Sequence, residues 1–174
     1  MYLILTRAFP PELGGMQSLM WGLTNELSKN YMIKVFADYN ESYKIFDEQV
    51  SFSIERIGGI KMLRKYRKAN LINEFIKNNK IEGVIADHWK SLELIKTNKK
   101  KICLIHSKEI NHKKGTSLNK RVLNVLDNVE KIVANSKFTK NLAIKCGVEE
   151  SKIIVINPGV DPIQNLGKES LNKV

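Results

Sequence analysis

Tyr2-Leu-Ile-Leu-Thr-Arg-Ala-Phe-Pro-Pro-Glu-Leu-Gly-Gly-Met-Gln17, continued as far as Leu27, is the stretch whose reading decides the fold. Its first residues, Tyr2 to Thr6, form a short apolar run of strand length. Met16, Leu19, Met20, Leu23 and Leu27 then recur at three- and four-residue intervals, which lays them along one face of a helix. The order is strand, turn, glycine pair, helix. Gly14 and Gly15 have no Cβ, so a phosphate oxygen can approach their backbone. The first amides of the following helix lack intrahelical partners and favour an anion. Pro10-Pro11 and the glycine pair would equally serve a plain strand-to-helix turn, and the local residues leave both readings open.

The rest of the chain repeats the alternation. Further strands are expected at Ile33–Ala37, Val50–Ile57, Gly83–Ala86, Lys101–Ile105, Lys131–Ala134 and Lys152–Ile156. Helices are expected at Lys61–Lys77, Trp89–Thr97, Ser117–Leu126 and Lys137–Cys146. Asp38–Gln49 and His106–Gly115 read as polar loops. Apolar strands alternating with helices call for a doubly wound α/β fold, a mainly parallel sheet of about seven strands with helices on both faces. Residues 1–163 read as one Rossmann-like domain and residues 164–174 as a polar linker or tail.

In such sheets ligands collect beyond the carboxyl ends of the strands. That edge gathers Arg7 to Gly15, Asp87-His88-Trp89, His106-Ser-Lys-Glu109, Asn135-Ser136 and Asn157-Pro-Gly-Val-Asp161. His106 could donate to substrate oxygens or share a proton with Glu109, or be an ordinary loop histidine. His88 and Trp89 could stack on a sugar or base, although a tryptophan at a helix start also serves as a core cover. Ser136 has the position of an N-cap. His88, His106 and His112 lack close ligand spacing, and no structural metal is expected. The sequence has no Gly-x-Ser-x-Gly elbow, no Walker lysine and no Gly-x-Gly-x-x-Gly, which argues against acyl hydrolysis, P-loop phosphoryl transfer and nicotinamide chemistry.

The 174 residues carry a net charge of +11, with 24 Lys but only 5 Arg. The 20 Ile and 17 Asn belong to the same A/T-rich codon set, so part of the charge reflects genomic bias. The scarcity of Arg, the better bidentate phosphate ligand, argues against a nucleic-acid partner. Cys103 and Cys146 read as core fillers in a reducing compartment, and the short apolar N-terminal run is too short to cross a bilayer. A cytoplasmic location is expected, soluble or peripheral to the inner face of a membrane. Lys61, Arg64, Lys65 and Lys68 fall in one helical stripe, with Met62, Tyr66, Ala69, Ile72 and Ile76 left for the other side. The stripe reads as a solvated face or as a docking surface for anionic lipid headgroups.

Together, Phe9-Pro-Pro-Glu-Leu-Gly-Gly-Met-Gln17, Asp87-His88-Trp89, Ile105-His-Ser-Lys-Glu109 and Ala134-Asn-Ser-Lys-Phe-Thr-Lys140, the last leading through Gly147-Val148 to Val155-Ile-Asn-Pro-Gly-Val-Asp161, resemble the N-terminal domain of retaining glycosyltransferases of family 4. The resemblance implies a Rossmann-like half of a two-domain GT-B fold and transfer of a hexose from a nucleotide sugar to a cell-envelope glycan or lipid-linked acceptor, with no cofactor and no metal. It also implies that Gly14 and Gly15 face the donor diphosphate and that His106 contacts the donor sugar as the catalytic residue. Gln17, Asp87, His88, Trp89, Glu109 and Ser136 would line the acceptor side of the cleft. Many relatives have Glu at Gln17 and Pro-Asn-Gly-Val-Asp at Asn157–Asp161. The C-terminal donor-binding domain, with its paired glutamates, is expected to be missing, leaving this chain with little or no activity alone. Glu74 and Glu82 share the spacing of that pair but straddle a helix end and a strand in the wrong half. The alternative within the same fold is a non-catalytic module that binds phosphate or nucleotide.

Overall fold

A computed structural model describes residues 1–159. Val160 and Asp161 of the last motif, and the proposed linker, lie outside the described residues. The first apolar run is strand β1 (Tyr2–Leu5), followed by helix α1 (Gly15–Ser28) and strand β2 (Ile33–Asp38). A short helix α2 (Tyr43–Glu48) leads to β3 (Ser53–Ile57), and the long α3 (Lys61–Asn78) crosses back to β4 (Gly83–Ala86). Then come α4 (Trp89–Leu92), β5 (Lys100–Ile105), α5 (Ser117–Leu126), β6 (Lys131–Ala134), α6 (Lys137–Cys146), a 3-10 turn at Glu150–Lys152 and β7 (Ile153–Val155).

The seven strands form one sheet in the order β3-β2-β1-β4-β5-β6-β7, and every pairing is parallel. From β1 the chain builds outward to β3, then returns through α3 and builds the other way. The direction therefore reverses between β1 and β4, where Leu5 stands in register with both Phe36 and Ala86. A parallel strand needs both faces covered, and alternate residues serve two cores. Leu3, Leu5, Phe36, Val84, Ala86, Cys103 and Ile105 pack with α3 to α6, whereas Ile4, Val35, Ala37 and Leu104 pack with α1 and Phe46 of α2.

Two elements differ from the sequence expectation. The polar stretch Asp38–Gln49 contains α2, anchored by Phe46, which packs edge-on against Phe9 and Trp21. Helix α4 stops at Leu92 instead of running to Thr97. The reason is Asn73 on α3, whose amide donates to the Leu94 carbonyl (2.9 Å) and accepts from the Lys96 N–H (2.8 Å). A side chain thereby satisfies the backbone groups that further helix turns would have paired.

Candidate active site

The β1–α1 loop is fixed from below. Phe9 is buried in an aromatic cluster with Trp21, Phe46 and Phe52, at ring-centroid distances of 6.2 to 6.5 Å. Arg56 of β3 lies over the Phe9 ring, donates to the Pro10 carbonyl and pairs with Asp47 at 2.7 Å. This anchoring sets the start of α1. The first helical bond runs from Ser18 N–H to the Gly14 carbonyl (3.0 Å), and no side chain among the described residues caps the terminus. The amides of Gly15, Met16 and Gln17 therefore precede the intrahelical ladder. A Cβ added at Gly15 would meet nothing within 4 Å, whereas one at Gly14 would run into the Gln17 amide. Gln17 itself reaches Glu12 (3.4 Å), which also accepts from Asn40 (2.9 Å).

Asp87 does not face a cleft. It is buried, and its carboxylate accepts from Thr6 Oγ1 (2.8 Å), the Arg7 N–H (2.8 Å) and Ser91 Oγ (3.0 Å). Its work is to tie β1 to β4 at the reversal of strand order. Trp89 is also withdrawn, with 0% exposure; its indole N–H donates to the Glu109 carbonyl (2.9 Å), and Lys90 and Arg121 sit over its ring. It is a core cover, as the plainer reading allowed. His88 is half-buried and caps α4 by accepting the Lys90 N–H at Nδ1 (2.9 Å). Burial, helped by the charges of Arg7 and Lys90, pushes its pKa down to about 3, so the ring is neutral near pH 7.

His106 follows β5 directly. Its backbone N–H donates to Oε1 of the Glu109 carboxylate, so one carboxylate oxygen holds the loop. Ser107 next to it has φ of +89°, a left-handed conformation costly for a serine and stabilised by the Ile110 and Asn111 amides bonding to its carbonyl. His106 Nε2 is buried and has no hydrogen-bond partner among the described residues. Ser136 caps α6 through the Thr139 N–H (3.1 Å). The described residues hold no group of three His, Cys, Asp or Glu side chains placed for a metal, and no helix among them is long and apolar enough to cross a membrane. Glu74 and Glu82 are both exposed, and Glu82 precedes β4 at the opposite edge of the sheet.

The model for Glycosyltransferase Family 4 matches residues 13–164, most of the chain. The chain belongs to Glycosyltransferase Family 4. No curated protein matches the sequence significantly. Among solved structures, a glycosyltransferase from Rickettsia africae ESF-5 superposes with a TM-score of 0.72 at 22% identity, covering 99% of this chain and 48% of that one. HepE from Anabaena in complex with UDP gives 0.70 at 16%, covering 92% and 44%. The apo form of the lipopolysaccharide outer core galactosyltransferase WaaB gives 0.62 at 15%, covering 95% and 47%. The chain thus spans less than half the length of the structures it matches.

In this family member the α3 stripe is built differently from the sequence reading. Lys68 is 6% exposed, bonded to Asp38 (2.9 Å) and to the Thr6 carbonyl; Arg64 shares Asp38 (3.4 Å) and Lys65 pairs with Glu93 (2.8 Å). In the first two turns the expected faces are exchanged. The cations line a recess at the sheet edge, while Met62 and Tyr66 are 83% and 55% exposed. Further along, Ala69 and Ile72 are buried and Ile76 packs half-buried against the core, as the apolar side was expected to do. Arg56 and Thr6, which position the loop, carried no sequence signal beyond strand alternation.

Proposed function

We propose that this member of Glycosyltransferase Family 4 supplies the acceptor-side, N-terminal half of a retaining glycosyltransferase that moves a hexose from a nucleotide sugar to a cell-envelope glycan or lipid-linked acceptor. One observation carries the reading. Among the described residues, a helix N-terminus that opens on glycine without a side-chain cap and a buried imidazole nitrogen without a hydrogen-bond partner share one edge of the sheet. When the glycosidic bond of the donor breaks, negative charge grows on the departing nucleoside diphosphate. The amides at Gly15 to Gln17 suit that charge, already oriented and needing no metal ion. His106 Nε2 would hydrogen-bond the donor sugar in the same cleft, and Gln17 and His88 would face the acceptor. Asp87, Trp89, Glu109 and Ser136 act by holding the walls.

The HepE structures, described as complexes with UDP, with UDP-glucose, and with UDP and glucose, support a nucleotide sugar as donor. The name of WaaB supports a cell-envelope acceptor. Ile60, Met62, Leu63 and Tyr66 stand exposed beside Lys61 and Arg67, a combination that suits peripheral contact with the anionic cytoplasmic face of a membrane.

The test is thermal unfolding with a panel of nucleoside diphosphates and nucleotide sugars, in the wild type and in Gly15→Val. A ligand that binds only the folded state raises the midpoint. The expected result is a rise in the wild type that the valine removes; an equal response in both would overturn the reading. Sugar-transfer and donor-hydrolysis assays accompany it, with turnover by this chain alone expected to be far below that of a protein of its neighbours' full length.

A further inference from the structure

A cluster of cations lies away from α1. A recess of about 310 Å³ opens at the carboxyl edge between the start of α3 and α4, at the small end of the range for ligand pockets. Six cations line it: Arg7, Lys61, Arg64, Lys65, Lys68 and Lys90. Asp38 is the single carboxylate in the lining, shared by Lys68 and Arg64. Even with Glu93 credited wholly to Lys65 and the buried Asp87 behind Arg7 and Ser91 added, six positive charges meet three negative ones. Arg7, Lys61 and Lys90 have no carboxylate partner among the described residues. Arg64 Nε is buried there without a hydrogen-bond partner among the described residues, and its Nη2 donates to the Gly59 carbonyl at 3.2 Å, which orients the guanidinium. Ile72, Leu94 and Ile95 give the recess an apolar wall, and none of its lining residues belongs to α1 or to the His106 loop.

Gathering like charges costs energy unless an anion is there to receive them, and burial already pulls the Lys68 pKa below its ordinary value. A surface that only needed solubility would spread its lysines. We propose that this recess binds the phosphoryl group of a phosphorylated ligand other than the nucleotide donor, a phosphate or diphosphate ester whose organic part lies against Ile72, Leu94 and Ile95. Taking that ligand to be the sugar acceptor rests on the function proposed above; the phosphate site itself does not. Lys68 and Arg64 are held in place by Asp38, while Arg7, Lys61 and Lys90, with no carboxylate partner among the described residues, can turn to the anion.

Inorganic pyrophosphate is the probe, titrated calorimetrically into the Gly15→Val chain so that the α1 terminus does not contribute. Losing two charge-assisted contacts in Lys61→Gln/Lys90→Gln is expected to weaken binding by about tenfold or more. The control Lys77→Gln/Lys80→Gln removes two exposed cations elsewhere and is expected to bind as its parent does. Equal affinity in the Lys61/Lys90 variant and its parent, or no binding by the parent, would overturn the proposal. Co-sedimentation with phosphatidylcholine vesicles containing phosphatidic acid separates the sources. Sedimentation lost in Lys90→Gln alone, which leaves Lys61 and the exposed apolar patch beside it intact, marks a lipid-borne phosphate. Pyrophosphate binding without sedimentation marks a soluble ester. A failed nucleotide response with intact pyrophosphate binding would count against the glycosyltransferase reading alone.

Discussion

Thr6 Oγ1 lies 2.8 Å from Asp87 Oδ2, joining the ends of neighbouring strands β1 and β4 where the strand order reverses. The same oxygen accepts the Arg7 N–H, so the path of the chain into the glycine loop depends on this carboxylate. Asp87→Asn would turn an amide hydrogen toward one of these donors. The expected loss is about 2–4 kcal/mol of folding free energy, read by urea unfolding, because hydrogen bonds to a buried charge are strong and leaving their donors unmet is costly. A loss within error of zero would contradict this role.

Gly15→Val should separate folding from binding. Open space surrounds the new Cβ, so the unfolding free energy should change by less than about 1 kcal/mol, while the branched side chain blocks the anion's approach to the first amides. The check is the unfolding midpoint with and without nucleoside diphosphate. A large intrinsic destabilisation would mean that Gly15 serves the fold instead.

His88 gives a pH dependence with a definite sign. Its folded pKa, about 3, is below the ordinary value of 6.5, so as pH falls through 6.5 the unfolded chain takes up a proton that the folded chain refuses. Stability is therefore full above that window and lost on acidification. The slope is below ~1.4 kcal/mol per pH unit, because the ring is only half-buried and solvent screens it. His88→Asn keeps a cap acceptor and removes the titration. Its stability relative to the wild type should rise between about pH 7 and pH 5 in paired urea titrations, and parallel curves would disprove the assignment.

Lys68→Met keeps the length of the buried stem and removes the ammonium. The Thr6 carbonyl and one oxygen of Asp38 lose their donor, which should cost about 1–3 kcal/mol in urea unfolding. A stabilised variant would show that burying the charge costs more than its bonds return.

Much of this could be read from the sequence because some ends carry their own markers. Helices α5 and α6 begin and end where expected, since Thr116 and Ser136 cap their starts and Gly147, at φ of +102°, terminates α6. Strand β6 lies between two such signals. Helix α2 escaped because a single residue, Phe46, faces the core while Ile45 points to solvent, so no period exists to detect. The site was legible as an edge but not in its directions. Spacing assigned Lys61, Arg64, Lys65 and Lys68 to one side of α3, yet nothing local says that this side turns inward. That depends on Asp38, thirty positions before Lys68 and brought near it by the sheet. Asp87 was likewise placed at the strand edge and assigned to the cleft when its carboxylate bonds to the protein itself, whereas Trp89 took the core-cover reading that its position had also allowed.

The hydrogen bond from Trp89 to the Glu109 carbonyl also has an optical consequence. The chain has two tryptophans, and they occupy opposite layers of the sheet, Trp21 with α1 and Trp89 beneath the loop that carries His106. With Trp21 replaced by phenylalanine, the remaining emission comes from an indole shielded from aqueous quenchers and tethered to that loop. Any molecule that moves the loop on binding would change the colour or lifetime of that light, so the protein carries a built-in reporter of the His106 loop that needs no attached dye.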